Sequence, residues 1–455
     1  MSIMARRRHP GSPMPTDRLL DLAIIGGGLG GLVHLRYARE AGLDAVVLER
    51  RSGVGGLWRE LPAWQDIQIC PADWLVGDMS LAGTKQPQIL ANIESWVGRF
   101  DLGEGIRLDC PVRVARHDGT AWELETPAGR VRARHLVAAT GAHNTPFVPE
   151  ARRGESGVRE LHSSALRDPA ELRGRNVLVV GGGASALDLL DLCLEHEARR
   201  IVWVYRGLRW FSPTRKPKAV AGSVRPFAKM QASGMTLAEQ SAAIGADLAS
   251  RYEKFGLQAI RPTEPLDLRR DQLIPGRVRM LEGFARLERH PGTVEAIEAD
   301  GVTLADGTRL AVDIVLWGTG YAVDLSYFED PRIAAIRSVV ELGSRCACMV
   351  RSLDAPDLYF PSVGLDGIGA VSWAYSLMAR SVVSHIRGTA RLDMEPTHRL
   401  NHLELARHFA ERDPGLRDEE QRWEFYRDLA LSTPDDQPYP FPGATQGDRR
   451  PGPPP

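Results

Sequence analysis

Two stretches of this chain space their glycines so that the backbone can close around a pyrophosphate. The first reads Asp21-Leu-Ala-Ile-Ile-Gly26-Gly-Gly28-Leu-Gly30-Gly31, the second Asn176-Val-Leu-Val-Val-Gly181-Gly-Gly183-Ala184-Ser185-Ala186. In such a loop Gly26 allows the tight turn, Gly28 lets the backbone approach the phosphates, and Gly31 lets helix pack against strand. The pyrophosphate then meets free N–H groups at the positive end of a helix dipole. One such loop is a weak signal. Two on one chain imply two dinucleotides held side by side, an arrangement suited to passing electrons from one cofactor to the other.

The residue that follows the second strand of each unit separates the two sites. Glu49 lies about 20 residues beyond the first loop, where a carboxylate grips ribose hydroxyls and repels a 2′-phosphate. That site is therefore expected to take FAD or NAD. The matching strand of the second unit, Ile201-Val-Trp-Val-Tyr205, ends at Arg206, with Arg209 close behind and no acid. Arginine there suits a 2′-phosphate through paired, charge-assisted hydrogen bonds, so NADPH is expected over NADH.

The elements that must position these groups are legible as short β-branched runs around helical stretches. Ala23–Ile25 and Ala45–Leu48 flank Leu32–Ala41; Val177–Val180 and Ile201–Val204 flank Ala186–Leu194. Parallel strands need such a crossover. The fold class expected is α/β, with two Rossmann-like dinucleotide-binding domains, the NADPH domain inserted into the FAD domain. Residues 19–149 and 321–432 form the FAD-binding domain and residues 150–320 the NADPH-binding domain. A helical insert covers about 213–280, with helix-like sequence from Thr236 to Phe255. It reads equally well as a substrate-shaping lid or as a solvated embellishment. The Pro-, Gly- and polar-rich ends, 1–18 and 433–455, are expected to be disordered tails.

Composition narrows the class further. At 455 residues, 43% hydrophobic and 25% charged, with a net charge of −1, the chain reads as a soluble two-domain globular protein without affinity for nucleic acid or anionic lipid. No apolar stretch approaches the ~20 residues that span a bilayer. Arg6-Arg7-Arg8 could open an export signal, but the apolar run that follows leads into the glycine loop and reads as a buried strand. Five cysteines with no C-x-x-C argue for a reducing, cytoplasmic setting and against a disulfide reductase. Cys346-Ala-Cys348 reads as a pair of small apolar residues. No metal-binding spacing is present, and Asp188-Leu-Leu-Asp191 reads as a helix face.

Gly55-Gly56-Leu57-Trp58 follows Glu49, and here the chain resembles the class B flavin-dependent monooxygenases, which include N- and S-oxygenating and Baeyer–Villiger enzymes. The resemblance runs from about Asp21 to Arg380. It takes in Thr84-Lys85-Gln86 ahead of a helix at Ile89–Phe100, Ala139-Thr140-Gly141, His162-Ser163-Ser164 and Gly318-Thr319-Gly320-Tyr321. The resemblance implies FAD in the outer domain, NADPH in the inserted one, and O₂ and a small molecule as co-substrates. In that family a C4a-(hydro)peroxyflavin delivers one oxygen atom. It further implies FAD contacts from Gly56, Leu57, Trp58 and a strand backbone at Val112, and a hinge at His162 and Ser163. A helix after Leu358–Gly369 would point its N-terminus at the flavin.

Three departures from the family pattern bear on the reaction. Ser156 and Val158 stand where the lead-in to His162 usually has Phe and Gly, and Ser163-Ser164-Ala165-Leu166 lacks the residues of the Baeyer–Villiger version. Cys70 stands where N-oxygenating members often carry an asparagine. Trp317 replaces a small residue before Gly318 and is expected to narrow what lies beside it. N- or S-oxygenation is the first expectation. Baeyer–Villiger or oxidative-decarboxylation chemistry on a carbonyl compound, or a flavin NADPH oxidase or redox sensor, are the alternatives. A homodimer is left open.

Overall fold

A computed structural model describes residues 18–67, 75–76, 79–80, 83–213, 235–269, 271, 273–361, 371–392 and 402–432. The strand Leu19–Ile25 lies between Ala45–Leu48 and Gly129–Ala138, parallel to both, with Ile25 level with Leu48 and Ala138. Leu358–Tyr359 and Ile106–Arg107 extend the parallel run on either side, and an antiparallel meander, Val114–His117 and Trp122–Thr126, folds off Gly129–Ala138. Both faces are covered, which is why these strands read as unbroken apolar runs. Leu22, Ile24 and Val47 face the crossover helix Leu29–Glu40 and the later helix Val371–Ile386, while Ala23, Ile25 and Val46 face Trp122 and Phe328.

The chain leaves this sheet after Ala138 and rejoins it at Cys346–Ala347. Between lies a second, wholly parallel sheet in the order Arg159–His162, Ile314–Trp317, Asn176–Val180, Arg200–Tyr205, Leu287–Pro291. The outgoing and returning connectors run side by side, Thr145–Pro146 pairing antiparallel with Tyr321–Ala322. The expected α/β architecture of two Rossmann-like units, one interrupting the other, is what the chain adopts.

The helix expected within the insert forms at Leu237–Lys254, started by a reciprocal capping box between Thr236 and Glu239. It is not a solvated embellishment. Leu248 and Tyr252 are buried and join Val177, Val179, Ile201 and Trp203 in the core on one face of the second sheet. The opposite face packs on a small four-stranded sheet, and Trp317 belongs there, among Val180, Val204 and Ile297. Its indole N–H donates to Glu160 at 3.1 Å. The expectation that Trp317 narrows a site is therefore corrected: strand alternation turns it into the core. Two helices, His402–Arg412 and Arg417–Ser432, close the described chain, and Arg380 is paired with Glu419 at 2.7 Å.

Cys110, Cys193, Cys346 and Cys348 are buried thiols outside any disulfide. Cys346 and Cys348 sit in cores on opposite faces of the first sheet, and burial pushes the Cys346 thiol up to about 12. They behave as small apolar residues. Among the described residues no cluster suits a metal ion and no helix is long and apolar enough to cross a membrane.

Candidate functional site

Both glycine loops are closed by the same backbone bonds. Gly26 N–H donates to Leu48 O and Gly181 N–H to Val204 O, each at 2.9 Å. Ala139 N–H donates to Ile25 O and Gly318 N–H to Val180 O, each at 2.8 Å. The two Gly-Thr-Gly-type turns thus stand beside the loops because they end the neighbouring strands. Gly26 and Gly181 have φ of +106° and +134°, and a Cβ there would lie 2.5 Å from Ala139 O and 2.3 Å from Gly318 O. A Cβ on Gly31 would meet Gly26 O at 2.0 Å. Ala186, at the corresponding place in the second unit, already touches Gly318. The middle glycines differ. Gly28 would meet only Gly56 Cα, at 3.6 Å, and Gly183 has nothing within 4 Å.

Those two open glycines are the N-caps of the helices Leu29–Glu40 and Ala184–Glu195, with no side-chain cap and no acid in either first turn. Each helix therefore presents free N–H groups, from Leu29, Gly30 and Gly31 and from Ala184, Ser185 and Ala186, over clear space. Among the described residues no side chain crowds Gly28 or Gly183, so this cradle could hold a pyrophosphate.

Glu49 and Arg206 are in opposite circumstances. Glu49 is 1% exposed; its Oε2 accepts from Gly27 N–H at 2.5 Å and its Oε1 from Arg51 N–H at 2.8 Å. A carboxylate offers about four lone-pair sites, so capacity for ribose hydroxyls remains. Arg206 and Arg209 are exposed and form no ion pair among the described residues. The loop carrying them is fixed by Arg209 N–H donating to Gly182 O at 3.0 Å.

Gly55-Gly56-Leu57-Trp58 folds over the first loop. Gly55 N–H donates to Gly27 O at 2.9 Å, and Gly56, at φ +56°, would put a Cβ 2.9 Å from Gly28 Cα. Leu57 and Trp58 open the short helix Leu57–Glu60, whose Trp58 carbonyl accepts from the Gln86 side chain. Val112 is half-buried beside Glu49–Arg51, since Cys110 N–H donates to Glu49 O at 2.8 Å. It is not in a strand, which corrects the expectation: Pro111 supplies no N–H to a ladder, and the strand begins at Val114.

His162 ends a strand of the second sheet and is 7% exposed. Its Nδ1 accepts from Ser164 N–H at 3.2 Å, so its Nε2–H donates to Gly320 O at 2.9 Å. Burial holds its pKa below the usual histidine value. The ring stands 5.0 Å from that of Tyr321, and the hydroxyls of buried Ser163 and of Ser164 contact the Tyr321 phenol. Thr319 donates to Phe147 O, and Thr140 lies 3.4 Å from the Tyr327 hydroxyl. The His-Ser-Ser and Gly-Thr-Gly-Tyr segments therefore meet at the paired connectors. Cys70, the segment 362–369 and most of the insert ahead of Met235 lie outside the described residues.

Sequence reasoning missed one cluster. Asp188 is not a bare helix face: its Oδ1 accepts from Arg277 Nε at 2.6 Å, with both side chains nearly buried, and its Oδ2 accepts from Gln65 Nε2 at 3.2 Å. Trp64 Nε1–H donates to Leu166 O at 2.6 Å. An apolar Trp64 inside a polar loop was the only available signal, because the partners are distant in sequence.

The profile of the pyridine nucleotide-disulphide oxidoreductase family matches residues 23–247. A Baeyer–Villiger monooxygenase of Streptomyces coelicolor is 30% identical over 218 residues, 45% of this chain and 41% of that protein. Flavin-containing monooxygenase 5 of Mus musculus is 24% identical over 420 residues, 82% of this chain and 74% of its own. The crystal structure of OTEMO in complex with FAD and NADP superposes with a TM-score of 0.63 at 15% identity, covering 83% of this chain and 86% of that one, a likeness of fold. On these matches the chain is similar to the class B flavin monooxygenases. The Streptomyces match spans less than half of that enzyme's length.

Proposed function

We propose that this protein is an NADPH-dependent FAD monooxygenase that inserts one oxygen atom of O₂ into a small molecule, at nitrogen or sulfur first. One observation carries the reading: two open, uncapped glycine loops are backed by residues of opposite charge. Glu49, turned inward beside Gly27, suits the ribose of FAD. Arg206 and Arg209, exposed and in no ion pair among the described residues, suit the 2′-phosphate of NADPH. When bound, FAD supplies hydride acceptance from NADPH and two-electron delivery to O₂. The chain's part is to hold both dinucleotides and to fix their approach, Gly28 and Gly183 admitting the pyrophosphates and the His162–Gly320 bond tying the connectors. Cys70 is proposed to lie near the flavin, where a thiol is a poorer hydrogen-bond partner than an amide.

Baeyer–Villiger oxidation of a carbonyl compound is the second reading, favoured by the Streptomyces relative's name. Ser163-Ser164-Ala165-Leu166 weighs against it. Purified protein supplied with NADPH and O₂ is to be offered sulfides, amines and ketones in parallel. A product heavier by one oxygen from a sulfide or amine supports the first reading; ester or lactone from the ketone alone replaces it. Stoichiometric peroxide regardless of additive would establish an oxidase instead.

A further inference from the structure

We propose that the turn Pro62–Asp66 is a brace that sets how the two nucleotide loops approach each other, with Trp64 and Gln65 as positioning residues for hydride transfer. The inference rests on the two-dinucleotide reading above. By its backbone this turn belongs to the first unit. Gln65 N–H donates to Pro62 O at 3.0 Å, Gln86 N–H to Gln65 O at 2.8 Å, and Ile67 N–H to Thr84 O at 3.2 Å. It follows directly on the helix Leu57–Glu60, and Gly56, at the head of that helix, rests on Gly28.

Its side chains belong to the second unit. The Trp64 ring packs against the core beneath the second sheet, and its indole N–H reaches Leu166 O at the end of the turn that begins at His162. Gln65 reaches Asp188, about one and a half helical turns beyond Gly183. A short path of close contacts therefore joins the open glycine of one loop to that of the other.

Asp188 shows how the path is built. Its Oδ1 is held by Arg277, whose side chain is only 4% exposed, from within the second unit. Its Oδ2 is left to Gln65. The amide makes this bond without bringing another charge into a nearly buried place, and at 3.2 Å it is the longer of the two. The Asp188–Arg277 pair stays together while the Gln65 contact is the one that can open and close. Hydride transfer needs donor and acceptor about 3–3.5 Å apart, and a misplacement of ~1 Å can cost ~100-fold in rate. A contact that pins Gly183 relative to Gly28 acts on that distance and leaves the affinity of either loop alone.

The test uses the full chain carrying Trp64→Phe and Gln65→Met, which keep bulk and remove the two donors, singly and together. A conservative variant, Gln65→Lys, keeps an N–H donor at the end of the side chain and leaves the Asp188–Arg277 pair intact. Two readouts are taken: amide hydrogen exchange across residues 163–172 in protein free of nucleotides, and anaerobic reduction of bound FAD at saturating NADPH. In the double variant we expect exchange to rise about tenfold and the reduction rate constant to fall about tenfold. Dissociation constants for FAD and NADPH should stay within about twofold, and Gln65→Lys should recover both readouts relative to Gln65→Met. Unchanged exchange, an unchanged reduction rate with FAD bound, or weakened NADPH binding without recovery would each overturn the brace. If the parent protein takes up no FAD at all, the function reading fails and this inference goes with it.

Discussion

Glu49 and Arg206 hold equivalent places after the second strand of each βαβ unit, yet one is built into the protein and the other waits outside it. Glu49 reaches back to Gly27 N–H and Arg51 N–H, so the acidic loop is organised before any ligand arrives. Arg206 and Arg209 stand in solvent on a loop fixed only through its backbone. Scaffold and recognition are thus fused at the first site and separable at the second. Substitutions at the first should lower stability and binding together; those at the second should touch binding alone.

Glu49→Ala should produce the largest effect. It removes two charge-assisted hydrogen bonds, one buried and one part-buried, each worth about 1.5–3 kcal/mol, and leaves the Gly27 N–H without its acceptor. Urea unfolding should show a loss of about 4 kcal/mol, and the protein should no longer retain FAD through purification. A loss under about 1 kcal/mol with FAD retained would break the contrast between the two loops.

The helices that follow the loops differ in the same direction. His34 and Leu189 lie equally far beyond Gly28 and Gly183, and both are fully buried. His34 Nδ1–H donates to Gly30 O at 2.8 Å, while its Nε2 has no partner among the described residues. Burial lowers its pKa from 6.5 to about 4. The unfolded chain therefore binds the proton first. The contribution of neutral His34 is full above pH 6.5 and is lost as pH falls toward about 4. At about 1.4 kcal/mol per pKa unit this amounts to about 3 kcal/mol. Unfolding free energies at several pH values between 7 and 4 should show that loss in the parent and not in His34→Leu. Parallel curves for the two proteins would remove His34 as the source.

The scaffold was the legible part of the sequence, because its signals are local. Alternation and β-branched runs mark strands buried on both faces, glycines mark backbone that a Cβ would obstruct, and Thr236 with Glu239 marks a helix start within the insert. Residues whose meaning is tertiary were not legible. Asp188 looks like any helix-face acid until Arg277 and Gln65 arrive from distant segments. Trp317 looks like an obstruction beside the turn until strand alternation is known to turn it toward the small sheet. Val112 looked like a strand residue, but Pro111 removes the donor that a ladder needs there.

At the second site, Arg206→Ala should weaken NADPH by about 30-fold, near 2 kcal/mol, and NADH by less than twofold. Unfolding should be unchanged, since the side chain is exposed and makes no ion pair among the described residues. Titrations of both nucleotides against the same preparation decide it. Equal losses would assign Arg206 a role other than the 2′-phosphate.

The smallest effect separates the shape of the loop from its occupant. A Cβ on Gly183 meets no protein atom within 4 Å, and the residue's φ of −111° is open to any amino acid. Nothing among the described residues requires glycine there, so Gly183→Ala should change stability by no more than about 1 kcal/mol, the scale of an N-cap preference. If a pyrophosphate closes on this backbone, the added methyl should still weaken NADPH by about tenfold, roughly 1.4 kcal/mol. Gly182 is the internal contrast, because a Cβ there would lie 1.9 Å from Gly207 O and must disturb the fold itself. Should Gly183→Ala bind NADPH as the parent does, the open space above this helix is not where the phosphates sit, and Arg206 must be serving some other anion.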